Sequence, residues 1–95
     1  MRLEFSSGSA ADLEEIWDYS ARNWGSAKAV EYLDGIADCA EALARGDLSG
    51  TAEDQMKPGL RRQVVQSHVI WFRVSKDGLF VVRVLHGSRD AGRWV

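Results

Sequence analysis

Residues His68–His86, "HVIWFRVSKDGLFVVRVLH", decide the fold. Two β-branched and aromatic runs, "HVIWFRVS" and "LFVVRVLH", flank the turn tripeptide "KDG", whose Gly78 is free to take a positive φ. The pattern predicts an antiparallel hairpin with a three-residue loop. Pairing Ser75 with Leu79 sets Val74 opposite Phe80, Phe72 opposite Val82, Ile70 opposite Val84 and His68 opposite His86, all on one side of the sheet. The other side then carries Arg73 beside Val81, Trp71 beside Arg83 and Val69 beside Leu85. The first face is a core. The second is half apolar and half cationic, with Trp71 and Arg83 placed for a cation–π contact, and is expected to stand exposed as a binding surface.

Working outward, "LRRQVV" (Leu60–Val65) reads as a third strand and "RLEF" (Arg2–Phe5) as a short fourth. Between them lie two helical patterns. Ser9 is the expected cap of the first, with Glu14 and Glu15 suiting its early turns, and Ala10, Leu13, Ile16, Trp17, Ser20 and Trp24 recur at three-and-four spacing. Gly25 ends it, and Ser26 caps a second helix whose stripe runs through Val30, Leu33, Ile36, Ala37, Ala40, Leu43 and Ala44 to Gly46. So short a linker predicts an antiparallel helical hairpin. The polar "GDLSGTAEDQMKPG" that follows is expected to be loop. The fold class expected is α+β in the order β-α-α-β-β-β: an N-terminal strand and a helical hairpin packed on a small, mainly antiparallel sheet, as one domain over residues 1–95.

A chain of 95 residues, 45% of them hydrophobic, has room for one core but not for an enclosed substrate chamber as well, so any site must lie on an open face or groove. Residues Met1–Met56 hold four basic and twelve acidic side chains, whereas Lys57–Val95 hold eight basic and two acidic ones. That asymmetry points the C-terminal half at an anionic partner, with neutralisation between the halves as the alternative. No stretch approaches the roughly 18 apolar residues of a membrane span and the N-terminus turns acidic, so a cytoplasmic protein without direct membrane contact is expected. The single Cys39 has no partner for a disulfide or a metal ribbon and reads as a small buried hydrophobe.

His68 and His86 invite a metal or acid–base reading. The strands supply no further ligands, so no metal and no cofactor are expected, and Ser67 and Ser88 lack the context of an activated nucleophile. The histidines are expected to bond backbone groups where the strands open. "RNWGSAKAVEY" lacks the spacing of a phosphate-binding loop. Arginines interleaved with Trp71 and Trp94 are compatible with nucleic acid, but a net charge of −2 favours a carboxylate-rich protein partner.

"PGLRR" (Pro58–Arg62), "HVIWFRV" (His68–Val74) and "VRVLHGSRD" (Val82–Asp90), supported by "DLEEIWDYSARNWG" (Asp12–Gly25), resemble the toxins of the bacterial RelE/ParE toxin–antitoxin superfamily, and the ParE branch most. The resemblance covers essentially the whole chain. It implies a small toxin neutralised by a ParD-like antitoxin, which itself contacts DNA, and aimed at DNA gyrase rather than at RNA. RelE-like members instead cut mRNA on the ribosome. Against their pattern, His68 stands at the start of the central strand where those nucleases place an arginine, Arg89 matches one of their basic positions, and the tail "RDAGRWV" offers no tyrosine.

The resemblance therefore implies a toxin that acts by binding, without catalytic residues of its own. A ribosome-dependent endoribonuclease is the alternative. Antitoxin contacts are assigned to Trp17, Trp24, Tyr32 and Ile36 as apolar pockets, to Trp71 on the sheet, and to Arg61, Arg62, Arg73 and Arg83 as partners of carboxylates. Target contact and toxicity are assigned to the tail: His86, Arg89, Asp90, Arg93 and Trp94, with Gly87 turning the chain away and Asp90 pairing with one of the arginines.

Overall fold

The computed structural model describes residues 2–95. Strand β1 (Arg2–Phe5) leads into helix α1 (Ser7–Trp24), and Gly25 alone separates α1 from α2 (Ser26–Arg45). Then come β2 (Thr51–Ala52), β3 (Arg61–Val65), β4 (His68–Ser75), β5 (Gly78–His86) and a single 3-10 turn, Ala91–Arg93. The five strands form one sheet in the order β1-β5-β4-β3-β2, antiparallel except where β1 runs parallel to β5. Two features go beyond the sequence reading. The expected loop contains the short strand β2, which pairs with Arg61 and Arg62, and the C-terminal residues fold back onto the sheet.

Helix α1 starts earlier than expected. Ser6, not Ser9, is the cap: its Oγ accepts from the Ser9 N–H at 2.9 Å and donates to the Val82 carbonyl at 2.6 Å, which ties the helix start to β5. The buried face of α1 is Ser9, Asp12, Ile16 and Ser20, so it is mostly polar, and Trp17 and Trp24 are turned outward. Sequence periodicity misses this because a hydroxyl can be buried at little cost once it is bonded, as Ser9 Oγ is to the Ser6 carbonyl at 2.9 Å. On α2 the buried residues are Ala29, Ile36, Ala40, Leu43 and Ala44, close to the expected stripe, while Val30 is exposed.

The hairpin register is right at its open end and shifted at its turn. His68 pairs with His86, Ile70 with Val84 and Trp71 with Arg83, but Phe72 pairs with Val81 and Ser75 with Gly78. The loop is therefore Lys76–Asp77, two residues rather than three, and the extra residue is absorbed as a bulge on β5 at Val82. Gly78 is needed for a reason the sequence hides: a Cβ there would overlap the Arg2 carbonyl of the parallel strand β1. The bulge changes which residues face inward. Leu79, Val81 and Val84 join Ile70, Phe72, Ile16 and the α2 residues in the main core, whereas Phe80 and Val74 are left exposed.

The opposite sheet face was expected to be bare and is covered. Leu60, Val69, Trp71, Leu85 and Ala91 form a second cluster, with Val82 and Val95 packed against it. Trp71 is only 7% exposed. The cause is apolar area: each large side chain buried is worth roughly 1.5–3 kcal/mol, and the tail is ordered by the cluster as a whole together with its backbone hydrogen bonds to Ser67, His86 and Ala91.

The bond that locks helix to sheet is an ion pair. Asp12, 4% exposed, accepts from Arg83 Nε and Nη2 at 2.7 and 2.6 Å and from the Val84 N–H at 2.9 Å. Gly8 makes room for it, since a Cβ there would sit 3.1 Å from Arg83 Cδ. Asp12→Ala strips acceptors from a guanidinium and a buried amide together, and urea denaturation is expected to show a loss of about 3–5 kcal/mol. Asp12→Asn, which keeps an acceptor for Val84, is expected to lose less. A loss below about 1 kcal/mol for the alanine variant would show that the pair does not lock the fold.

Candidate functional site

The bulge and the fold-back of the tail leave one groove of about 440 Å³ between α1, Tyr32 of α2 and the open end of the β4–β5 hairpin. Ile16, Val84 and Leu85 line its apolar part, Tyr19, Trp24 and Tyr32 its aromatic wall, and His68, His86 and Arg89 its basic end. The rings form a ladder. Tyr19 meets Trp24 at 5.8 Å between centroids, Trp24 meets Tyr32 at 5.9 Å, Tyr32 meets His68 at 5.5 Å and His68 meets His86 at 5.4 Å.

Hydrogen bonds hold both imidazoles through Nδ1. The Tyr32 hydroxyl lies 2.6 Å from His68 Nδ1 and accepts from the Ser67 N–H at 3.2 Å. The Ser88 N–H donates to His86 Nδ1 at 3.1 Å. His86 therefore accepts on Nδ1 and, when neutral, carries its proton on Nε2, and Nδ1 of His68 is engaged by Tyr32. The expectation that these histidines bond groups where the strands open holds for His86; the partner of His68 is the Tyr32 side chain. Burial pushes the His68 imidazole below its ordinary value of 6.5, His86 and Arg89 push the same way, and Asp12 opposes them. Among the described residues no group of three or more metal-binding side chains converges.

Of the residues singled out from the sequence, Trp24, Tyr32, His86 and Arg89 come together in this groove. The others are placed elsewhere. Trp17 sits in a separate shallow recess with Leu13, Glu14 and Asp18, and Ile36, 2% exposed, is part of the core rather than an open pocket. Trp71 is buried beneath the tail. The four arginines expected to meet a partner's carboxylates are all engaged within the chain. Arg61 donates to the Ser49 and Gly50 carbonyls, Arg62 pairs with Glu53 at 2.6 Å, Arg73 donates to the Pro58 carbonyl, and Arg83 is held by Asp12. Three of them pin the loop before β3, which has few apolar residues of its own with which to pack.

The tail also differs from expectation. Gly87 turns the chain back, with its N–H on the Ser67 carbonyl at 2.9 Å. Asp90 caps the 3-10 turn by accepting from the Gly92 N–H at 3.2 Å instead of pairing with an arginine. Trp94 lies against two guanidiniums, with Arg83 at 5.4 Å and Arg89 at 5.3 Å from its ring centroid. The cation–π partner of Arg83 is thus Trp94 and not Trp71.

Ser6, and the burial of Asp12 against Arg83, which organise the site from beneath, escaped the sequence reading, which took Asp12 only as the acid three residues after a cap at Ser9. The available signal was Arg83 itself, a lone cation in an apolar strand, which requires a buried acid at the spacing of Ile16 and Ser20. Cys39 behaves as read: partial burial raises its thiol above the ordinary range, the direction of an unreactive side chain.

The lowered His68 value gives a signed pH dependence. The folded state favours the neutral ring, so this contribution to stability is complete above pH 6.5 and is lost as pH falls from there through the folded-state value. Denaturation midpoints between pH 8 and pH 5 are expected to decline more steeply below 6.5 in the parent than in His68→Asn. Parallel curves would remove His68 from the pH response.

A family described as "ParE toxin of type II toxin-antitoxin system, parDE" matches residues 3–91. Toxin ParE1 of Mycobacterium tuberculosis (strain CDC 1551 / Oshkosh) is 37% identical over 93 residues, covering 97% of this chain and 95% of that protein. Toxin ParE1 of Caulobacter vibrioides is 35% identical over 81 residues, covering 85% and 83%. A chain of the solved "Chromosomal ParDE TA system from P. aeruginosa" superposes with a TM-score of 0.77 at 23% identity, over 90% of this chain and 95% of that one, and so shares its fold. The strand order, the helical hairpin and these relatives agree: the chain belongs to the family of ParE toxins of type II toxin–antitoxin systems.

Proposed function

We propose that this toxin acts by binding DNA gyrase through its C-terminal segment, and that a ParD-like antitoxin neutralises it by covering the helical hairpin and the groove. The observation that carries the first half is where the cations are left over. With Arg61, Arg62, Arg73 and Arg83 engaged internally, Arg89 and Arg93 are exposed arginines without a salt bridge among the described residues, and both lie in the tail beside the exposed His86 and Trp94. A 3-10 turn flanked by Arg89 and Trp94 and carrying Arg93 presents two guanidiniums and an indole, which suits recognition of an acidic protein surface.

The antitoxin half is supported by the family and by the ParDE system that shares the fold. It is supported too by Trp17, Tyr19, Trp24 and Val30, which are exposed along the two helices at 38–57% and give an amphipathic partner segment its apolar anchors. Contact with DNA then comes only through the antitoxin.

A second reading has one specific observation in its favour. His68, His86, Arg89 and the Tyr32 hydroxyl share one groove, the donor and acceptor set that acid–base cleavage of a phosphodiester requires. Ribosome-dependent cleavage of mRNA is therefore the alternative mechanism.

Gyrase supercoiling and mRNA 5′-end mapping on translating ribosomes separate the two. The purified chain is expected to inhibit supercoiling, and Arg89→Ala combined with Arg93→Ala to weaken inhibition at least tenfold while leaving the fold intact, since both side chains are exposed. Adding antitoxin should restore supercoiling. Point substitutions are preferable to truncation, because removing Ala91 and Val95 would uncover Trp71. Unimpaired supercoiling together with new transcript ends that vanish in His68→Ala or His86→Ala would overturn the proposal in favour of the nuclease.

A further inference from the structure

The groove has two unlike ends. At the strand end, Nδ1 of His68 and of His86 is engaged within the protein, which leaves Nε2 of each ring for a ligand, protonated in neutral His86. Arg89 lines the same end and can only donate. Three basic side chains from β4, β5 and the tail thus line one end with no carboxylate among them. Asp12 also borders the groove, but its oxygens are occupied by Arg83 and Val84. Glu15, on the α1 side, has no salt bridge among the described residues, and it disfavours a second negative charge there. At the helix end the exposed rings of Tyr19 and Trp24, with Tyr32 behind them, offer stacking faces. The volume, about 440 Å³, lies inside the roughly 300–1,000 Å³ of small-molecule pockets.

We infer that this groove is a binding site for a small organic oxyanion bearing a flat ring, of the nucleoside monophosphate class, with the oxyanion at His68, His86 and Arg89 and the ring toward Trp24. Charge chooses the orientation: the anion avoids Glu15 and meets the donors at the strand end. The ring ladder runs from Trp24 through Tyr32 to His68, so the stacking faces and the basic end belong to one continuous wall. No bond is made or broken in this binding, and the inference stands independently of the gyrase reading.

The test is an NMR titration of the full-length chain with adenosine monophosphate, with inorganic phosphate and with adenosine, following the His68 and His86 imidazoles and the Trp24 indole. Adenosine monophosphate is expected to move all three on one saturable curve. Inorganic phosphate should move the histidines alone and bind at least tenfold more weakly. His86→Ala and Arg89→Ala, both at exposed positions, should each weaken the nucleotide about tenfold without changing the helix spectrum. No movement of the three reporters at millimolar nucleotide would overturn the site. So would saturable binding that is unaffected by both substitutions, because the ligand would then lie elsewhere. Phosphate binding as tightly as the nucleotide would overturn the part assigned to the ring.

Discussion

A buried carboxylate on a helix and a guanidinium on a strand hold this molecule together. Asp12 presents both oxygens to Arg83 and accepts from the Val84 amide, so one side chain satisfies a cation and the exposed edge of β5 beyond the point where β1 stops pairing. Ser6 performs the same service six residues earlier through the Val82 carbonyl. Arg83 is then fixed where its guanidinium lies 5.4 Å from the Trp94 ring centroid, and Trp94 in turn borders Arg89. A single contact chain therefore runs from the first helix through the sheet to the tail. Desolvating such a pair is expensive, and what it supplies here is geometry: the helix face, the bulged strand and the C-terminus are placed by one set of bonds.

The charge asymmetry takes on a different meaning in the folded chain. Arg62 meets Glu53 and Arg83 meets Asp12, so cations of the basic half are matched to acids of the other half. Arg61 and Arg73 instead hold backbone carbonyls of the loop between α2 and β3. Much of the apparent basic surface is thus internal scaffolding, and the exposed cations of this half without a salt bridge among the described residues are Lys57, Lys76, Arg89 and Arg93, of which the two arginines lie together in the tail.

The helical hairpin, the three main strands and the His68–His86 end of the hairpin were legible in the sequence because each rests on local chemistry: glycine stops and the periodicity of apolar residues; the serine caps were misplaced, since Ser6 caps the first helix and Gly25, not Ser26, stands at the cap of the second. The parts that were not legible are all set by distant segments. The two-residue turn and the bulge depend on β1 running beside Gly78, which no property of "KDG" reveals. Trp71 looked exposed because its cover, Leu60, Ala91 and Val95, comes from sequence on both sides of the hairpin. The polar inner face of α1 defeated periodicity, since Asp12 counts as a surface residue until Arg83 is known to lie opposite. For the candidate site, the histidines, Arg89 and the aromatic residues could be named, but their grouping required the α1–α2 hairpin to be docked on the strand ends.

A double-mutant cycle on Asp12 and Arg83, read by urea denaturation, tests this organisation most directly. The account predicts that Asp12→Ala, Arg83→Ala and the double variant are strongly non-additive, with a coupling of about 2 kcal/mol or more between the two positions. Additive losses, within about 0.5 kcal/mol, would contradict it and leave the helix, the strand and the tail held by apolar packing alone.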